Sequence, residues 1–543
     1  MDYLKKKIPA QEQKKLLLCM ISTFIFGLAA DAYGLLNNIF SHDSLNALYA
    51  GSTENLAKIS AGRFLVPVLR LFRGPVALPW LIGLIAFVFI GLSVYVIVKI
   101  FDVNSKPAMV LIAGIMVTNT TVTAVAATYV HELDLDMFAL LLSCLAAYLW
   151  KKSTKIKELI PVGLLLITAI AIYQSYVELT VTLMIMVLLL DAIEGKEVKG
   201  IFIKGVRGAV TSAVATGIYF ALNTLVRVII KVDATKNIDF TKEYEKSFIL
   251  RLRSAVVDII ASYVSPSTVY PAIIMGALSC AMFLGILICI VMMWKKNKLS
   301  KGNIFMTVLL TAMIPVGMNF LAPLSHEGVH DVMKFSFWMF LVLAVVLLFR
   351  YVNRLENDNR RKFVKVFSLI MASVILWNNI LVANTVHLKK VLEHDVTLVT
   401  LERVIDDLEA RDDYEIGKTE IAFSGYPQIH QIYPGFERVS RMTGAEFTMS
   451  IGVVNYKDYY NSYNNYFRYY FNYPIVISNT DYSKDPRVEA MPTFPEEGYI
   501  QKLDGKLVVN LGEKQVKFLK ITTIARDVTS IKAYIREIKN KTK

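Results

Sequence analysis

Residues 128–157 read TYVHELDLDMFALLLSCLAAYLWKKSTKIK, and the order of acids, apolar run and lysines decides how the whole chain is placed. From Asp136 to Trp150 nothing after the first residue is charged. In lipid such a segment satisfies its backbone polar groups by closing them into a helix. His131, Glu132, Asp134 and Asp136 gather at one end, and Lys151, Lys152, Lys155 and Lys157 at the other. Because Lys and Arg are retained on the cytoplasmic side, the lysine end is expected inside and the acidic end outside. The run is short for a hydrocarbon core that calls for about 20 residues, so flanking residues or local thinning of the bilayer must help it.

Working outward, the same alternation governs the rest of the chain. Basic residues cluster at Lys5 to Lys7 with Lys14 and Lys15, at Lys99 with Lys106, at Lys151 to Lys157, Lys196 to Arg207, Lys295 to Lys301, and Arg350 to Lys365. These six clusters occupy every second gap between apolar segments near 16–36, 78–100, 108–127, 136–150, 159–173, 177–191, 206–230, 271–294, 304–321, 332–350 and 363–383. Eleven spans with cytoplasmic basic gaps put the N-terminus inside and the C-terminus outside. The first segment follows a basic stretch, yet its apolar run is longer than a signal core and is expected to be retained.

Composition fits this reading: 55% of the 543 residues are hydrophobic, 19% are charged, and mean hydropathy is +0.47. The net charge of +14 is carried mainly beside the spans, where anionic headgroups attract it, so the partner implied is the lipid bilayer and not nucleic acid. Cys19, Cys144, Cys280 and Cys289 all fall in apolar segments, and no disulfide framework is indicated.

From about Lys389 the composition becomes that of a soluble domain, giving a transmembrane part over 1–388 and an extracytoplasmic part over 389–543. Val391 to Leu408 predicts an amphipathic helix, Glu420 to Phe423 and Pro474 to Ser478 predict strands, and Tyr499 to Leu511 alternates about Asp504-Gly505, a dipeptide suited to a tight hairpin. The expected fold class is a polytopic α-helical membrane protein of about eleven spans with a small C-terminal α/β domain. The Tyr-rich stretch 455–473 suits either a sugar platform or an amphipathic surface that packs the module on itself or rests it on the headgroup layer, and the second is the expectation.

Polar chemistry gathers in the outer gaps. Asp43 stands shortly after the first span, and Arg63 precedes an amphipathic stretch containing Phe64, Leu65, Val68, Leu69 and Phe72 that suits an interfacial helix. Arg63 offers a planar fork of donors to a phosphate. Glu132 and Asp134 sit at the mouth of the fourth span, where carboxylates are costly unless they face a partner or a water-filled cavity; capping of the helix start is the competing use for Asp134 and more so for Asp136. Tyr173, Gln174, Tyr176 and Glu178 mark the next outer turn. LAPLSHEGVHDVMKF brings together His326, Glu327, His330, Asp331 and Lys334; the Gly between the histidines and the absence of HExxH argue against zinc and for a donor-rich phosphate cradle.

These motifs resemble the bacterial GtrII-type glucosyltransferases, polytopic enzymes of the GT-C architecture that use polyprenyl phosphate sugars. Asp43-Ser44-Leu45 followed by Gly62-Arg63-Phe64-Leu65 is similar to that family's first outer loop, with Ser44 in place of its second acid. Asp134 before Phe138, Tyr173-Gln174-Ser175, and the ending GYIQKLDGKLVVNLG over 498–512 are similar to later family features. The resemblance implies a hexosyltransferase of the bacterial cytoplasmic membrane that moves glucose from a polyprenyl phosphate donor to a cell-envelope glycan, by direct inverting displacement. Asp43 or Asp134 would be the catalytic base, with Arg63, His326, His330 and Lys334 on the donor phosphate and Glu132, Tyr173 and Gln174 on substrate. No metal ligand set and no cofactor are assigned, and a need for a divalent ion stays open. A flippase of lipid-linked sugars is the alternative, and a glycan polymerase a third. The acids at the outer mouths, in place of polar residues at the midplane, favour chemistry over translocation.

Overall fold

A computed structural model describes residues 9–49, 51–235, 244, 246–325, 329–427, 434–439, 442–445 and 456–512. It opens with the long helix α1 (Ala10–Leu36), and the first loop then folds into α2 (His42–Asn46), α3 (Ser52–Ser60) and α4 (Val66–Arg73). There follow α5 (Pro79–Ile100), α6 (Lys106–Thr118), α7 (Thr120–Thr128), α8 (Leu133–Lys152), α9 (Ile160–Ile172), α10 (Tyr176–Ile193) and α11 (Val198–Ile230). The helical part closes with α12 (Phe248–Val264), α13 (Ala272–Asn297), α14 (Lys301–Met318), α15 (Met339–Val352) and α16 (Asp358–Glu409).

Among the described residues, ten helical stretches are long and apolar enough to cross a membrane, with α6 and α7 counted as one. The break between those two is at Asn119, whose side-chain oxygen accepts from Val122 N at 3.0 Å while its amide nitrogen donates to the carbonyls of Ile115 and Met116. One side chain thus closes the first helix and caps the second. An eleventh crossing rests on α9, which has 13 residues behind a 3-10 turn over Ile156–Leu159. Helix and turn together reach roughly 27 Å, near the thickness of the hydrocarbon layer. At one end Ala171 O accepts from Leu65 N at 3.3 Å, and at the other Thr154 O accepts from Arg207 at 2.8 Å.

The basic gaps that are separate in sequence meet at one end of the bundle. Lys15 donates to Asn104, Lys99 to Glu12 and Lys151 to Asp102, Lys196 and Lys204 both pair with Asp191, Arg350 pairs with Glu194, and Arg354 donates to Asn297. Asp134 and Asp136 in the first turn of α8 and Lys151 and Lys152 in its last turn also match the helix dipole. α10 runs through the middle of the bundle with 94% of its apolar window buried, whereas α11 has only 17% of its window buried and turns a row of apolar residues outward, as a helix facing lipid does.

The division placed at 388/389 falls inside α16, which continues without a break from Asp358 to Glu409, so the last apolar stretch and the amphipathic one form a single 52-residue helix. Beyond it lie β1 (Glu420–Ser424), α17 (Pro434–Val439), α18 (Tyr456–Tyr466), β2 (Val476–Ile477), α19 (Pro486–Glu489), β3 (Ile500–Leu503) and β4 (Lys506–Asn510). The sheet order is β2-β1-β4-β3; β1 is parallel to β2 and β4, and the β3–β4 hairpin is antiparallel. Its turn residues Asp504 and Gly505 both take positive φ, +50° and +80°, the conformation that the dipeptide predicts. Tyr463 stacks on Phe423 with ring centroids 4.1 Å apart, and Tyr463, Tyr466 and Phe467 are buried, so this part of the Tyr-rich stretch packs the module on itself.

Candidate functional site

The end opposite the basic gaps is organised around one buried carboxylate. Glu132 sits in a 3-10 turn between α7 and α8 and is 2% exposed. Lys58 Nζ and Arg70 lie 3.0 Å from its Oε1, and Arg63 lies 3.2 Å from its Oε2. Lys58 comes from α3, Arg63 from the turn before α4 and Arg70 from α4 itself, so the first loop is folded onto this single anion. Glu54 joins the cluster at 3.2 Å from Lys58 and 3.3 Å from Arg70. Arg73, one turn beyond Arg70, donates to His131 O at 2.7 Å and places Nε 2.8 Å from Asp134 Oδ2, an ion pair whose N–H does not point along the contact.

Several buried donors here have no acceptor. The Nε atoms of Arg63, Arg70 and Arg73 and His131 Nε2 are buried without a hydrogen-bond partner, and so is Asp134 Oδ1. Unsatisfied donors of this kind are costly in a folded chain and mark a place built for a ligand with oxygens to offer. Glu54, His131 and Glu132 do bring ligating atoms within 4.8 Å of one another. Oε1 of Glu54 and Oε1 of Glu132 are each already held by both Lys58 and Arg70, so this donor set does not fit a metal.

Arg63 is held in place from three sides. Its guanidinium lies 4.3 Å from the centroid of the Tyr173 ring, and Glu132 takes its Nη1. The Gly62 carbonyl before it accepts from Tyr219 on α11 at 3.0 Å, and Gln174 donates to Ala61 O and to the Tyr219 hydroxyl at 2.8 and 2.9 Å. Gln174 therefore braces the loop, and Tyr173 supplies the face on which Arg63 rests. Burial raises the Tyr173 phenol above its ordinary pKa, so the ring stays neutral beneath the guanidinium.

Asp43 stands beside this cluster in the first turn of α2, with its side chain 35% exposed and His42 Nε2 3.4 Å away. Ser41 and Ser44 anchor the helix by donating to Thr128 O, the last residue of α7, and Ser44 Oγ also lies 3.1 Å from His131 Nδ1. The phenol of the next residue, Tyr129, feels the Asp43 carboxylate; burial first and that charge second raise it above its ordinary pKa, so it stays neutral. Ser44, standing in sequence where a second acid would be, is thus an anchor for the acid before it.

The remaining expected residues divide. Glu132 faces cations rather than open space, and Asp134 is 3% exposed and locked to Arg73. Lys334 pairs with Asp331 at 2.9 Å, His330 is exposed, and neither makes a direct contact with the Arg63 group among the described residues. His326 lies outside the described residues. Asp331 in turn exchanges hydrogen bonds with Thr443 of the C-terminal module, at 3.3 and 3.0 Å. Sequence reasoning missed Lys58, Arg70 and Arg73, although Arg70 and Arg73 at a spacing of three, on one face of the amphipathic stretch, carried the signal.

Residues 32–349 match the family described as Glucosyl transferase GtrII. No curated protein and no solved structure gave a match.

Proposed function

Since the chain belongs to the GtrII glucosyl transferase family, with well over half its length matched, we propose that it moves glucose from a polyprenyl phosphate donor to an extracytoplasmic cell-envelope glycan, in the bacterial cytoplasmic membrane. The observation that supports this reading is the group of Lys58, Arg63, Arg70 and Arg73, largely enclosed beside the partly exposed Asp43 at the end of the bundle away from the basic gaps. Basic gaps inside put that acid outside, where a lipid-linked donor presents its head.

The donor is a phosphodiester with one negative charge, and the polyprenyl phosphate that departs has two. The acceptor hydroxyl gives its proton to an Asp43 carboxylate oxygen as its own oxygen bonds to C1. The bond from C1 to the phosphate oxygen breaks with its electron pair going to that oxygen. One displacement at C1 inverts the anomeric centre. Arg63 and its neighbours offset the charge that grows on the phosphate, and they cost no reorganisation because Glu132 and Tyr173 already hold them. Asp43 suits the base better than Asp134, because its carboxylate is reachable whereas that of Asp134 is committed to Arg73.

The test uses purified protein in proteoliposomes with radiolabelled polyprenyl phosphate glucose and envelope glycan. Asp43→Asn is expected to lower the transfer rate by about 10²–10⁴-fold with its melting temperature retained. Undiminished transfer by that variant removes Asp43 as base. Labelled lipid that crosses the vesicle without reaching glycan points to a flippase and overturns the reading.

A further inference from the structure

Between α11 and α13, each long and apolar enough to cross a membrane, stands α12, an amphipathic helix of 17 residues. Along its length it is fastened to one segment, the gap between α14 and α15. Near its start Arg251 donates to Pro323 O, in its middle Ala255 O accepts from Asn319 at 3.0 Å, and near its end Tyr263 donates to Phe337 O at 2.6 Å. Its last carbonyl, Val264 O, presses on Gly276 near the start of α13, where an added Cβ would lie 2.4 Å away. Glu178 in the first turn of α10 accepts from Leu321 N at 2.7 Å, which holds the same gap at the end of the bundle that carries the Glu132 cluster. Both ends of α12 therefore stay at that level, and the helix lies across the end of the bundle instead of passing through it.

Arg251, Ala255 and Tyr263, at spacings of four and eight, mark the face turned to the gap. The opposite face carries Ile249, Leu252, Val256, Val257, Ile260 and Val264, all exposed, Ile249 to 77%. An apolar row of this extent marks a surface made for a partner. The adjoining ends of α11 and α13 are apolar and exposed as well, at Val228 and Ile229 and at Ile273 and Ile274, so the row continues the surface that lipid covers on the two spans. Charge points the same way. From Lys246 to Tyr270 the chain has three basic residues against one acid, Asp258, and Lys246 and Arg253 are exposed. We infer that α12 is an interfacial helix, with its apolar row among the acyl chains of the leaflet at this end and Lys246 and Arg253 on anionic phospholipid headgroups. The apolar row supplies the burial, and the two cations make it depend on lipid charge. Neither contribution depends on the sugar that the enzyme transfers.

The test places an environment-sensitive fluorophore on Val256→Cys in the full-length chain with its native cysteines replaced, reconstituted in vesicles of phosphatidylcholine with or without phosphatidylglycerol. Val256 is exposed, so the label displaces no packed side chain, and retention of the fold is checked by melting temperature. Lipids brominated near the headgroup are expected to quench the label several-fold more than lipids brominated near the chain end, and aqueous iodide to quench it little. Phosphatidylglycerol is expected to increase the lipid quenching, and Arg253→Glu in the labelled chain to remove that increase. Strongest quenching from the chain end would make α12 a crossing helix and overturn the inference. Quenching by iodide alone would place the row in water, and quenching by neither would place it under protein such as a second copy of the chain; both overturn it. An unchanged response to phosphatidylglycerol overturns the part assigned to Lys246 and Arg253.

Discussion

Gly444 is one of the points at which the C-terminal module touches the end that carries the Glu132 cluster, and replacing it with Ala separates two costs that are usually entangled. Its φ is +86°, and a Cβ built there would lie 2.4 Å from Thr128 Oγ1, 2.9 Å from Ala127 Cβ and 3.2 Å from Ala124 O. Gly505 has nearly the same φ, +80°, and nothing within 4 Å of its Cβ position. A left-handed φ costs an L residue about 1–2 kcal/mol, so Gly505→Ala is expected to lose that much. Forcing an extra carbon into a filled contact costs about 1–3 kcal/mol more, which brings Gly444→Ala to about 2–5 kcal/mol. Equilibrium unfolding of both variants in a denaturing detergent series measures the difference. The same pair reports on function: Thr128 O receives the Ser41 and Ser44 hydroxyls that anchor the Asp43 helix, and Tyr129 follows it. Gly444→Ala should therefore slow glucosyl transfer per folded molecule, and Gly505→Ala should not. Equal stability losses would refute the contact; a slowed rate absent from Gly444→Ala would refute coupling between the module and the site.

Three further outcomes are expected. Glu132→Gln leaves Lys58, Arg63 and Arg70 without the charge they share, and should lose about 3–5 kcal/mol of stability, read by the same unfolding series; a loss within the error of wild type would mean the cluster does not depend on this carboxylate. Arg63→Lys keeps the charge but gives up the planar stack on Tyr173, and should raise KM for the lipid donor by about tenfold with stability retained, whereas an unchanged KM would show that charge alone suffices. In a cysteine-free background, Cys placed at Asp43 should react with an impermeant maleimide added outside intact cells, and Cys placed at Lys155 should react only after lysis; the reverse pattern would invert the topology and with it the whole mechanism.

Much of the architecture was legible because hydropathy and charge act locally. The basic gaps do meet at one end, the Asp504-Gly505 hairpin forms, and the GtrII resemblance stands with the family match. The site was legible in part. Asp43 and Arg63 both act on Tyr129, and Glu132 lies at the centre of a cationic cluster. Gln174 turned out to be a brace. Asp136 lies in the first turn of α8, where its charge complements the helix dipole as its place in the sequence suggests.

The order of apolar and basic segments is enough to fix which segments are helical and which gaps share an end, since lipid imposes both conditions on each segment by itself. It does not fix which buried charges find partners. That depends on α3 and α4 folding back over the mouth of α8, on α11 bringing Tyr219 to Gly62, and on α16 running unbroken into the module, where Lys389 reaches Ala445 O and Lys390 reaches Ala127 O. Those contacts join residues far apart in the chain, and a charge near hydrocarbon takes its role from whichever partner packing delivers to it.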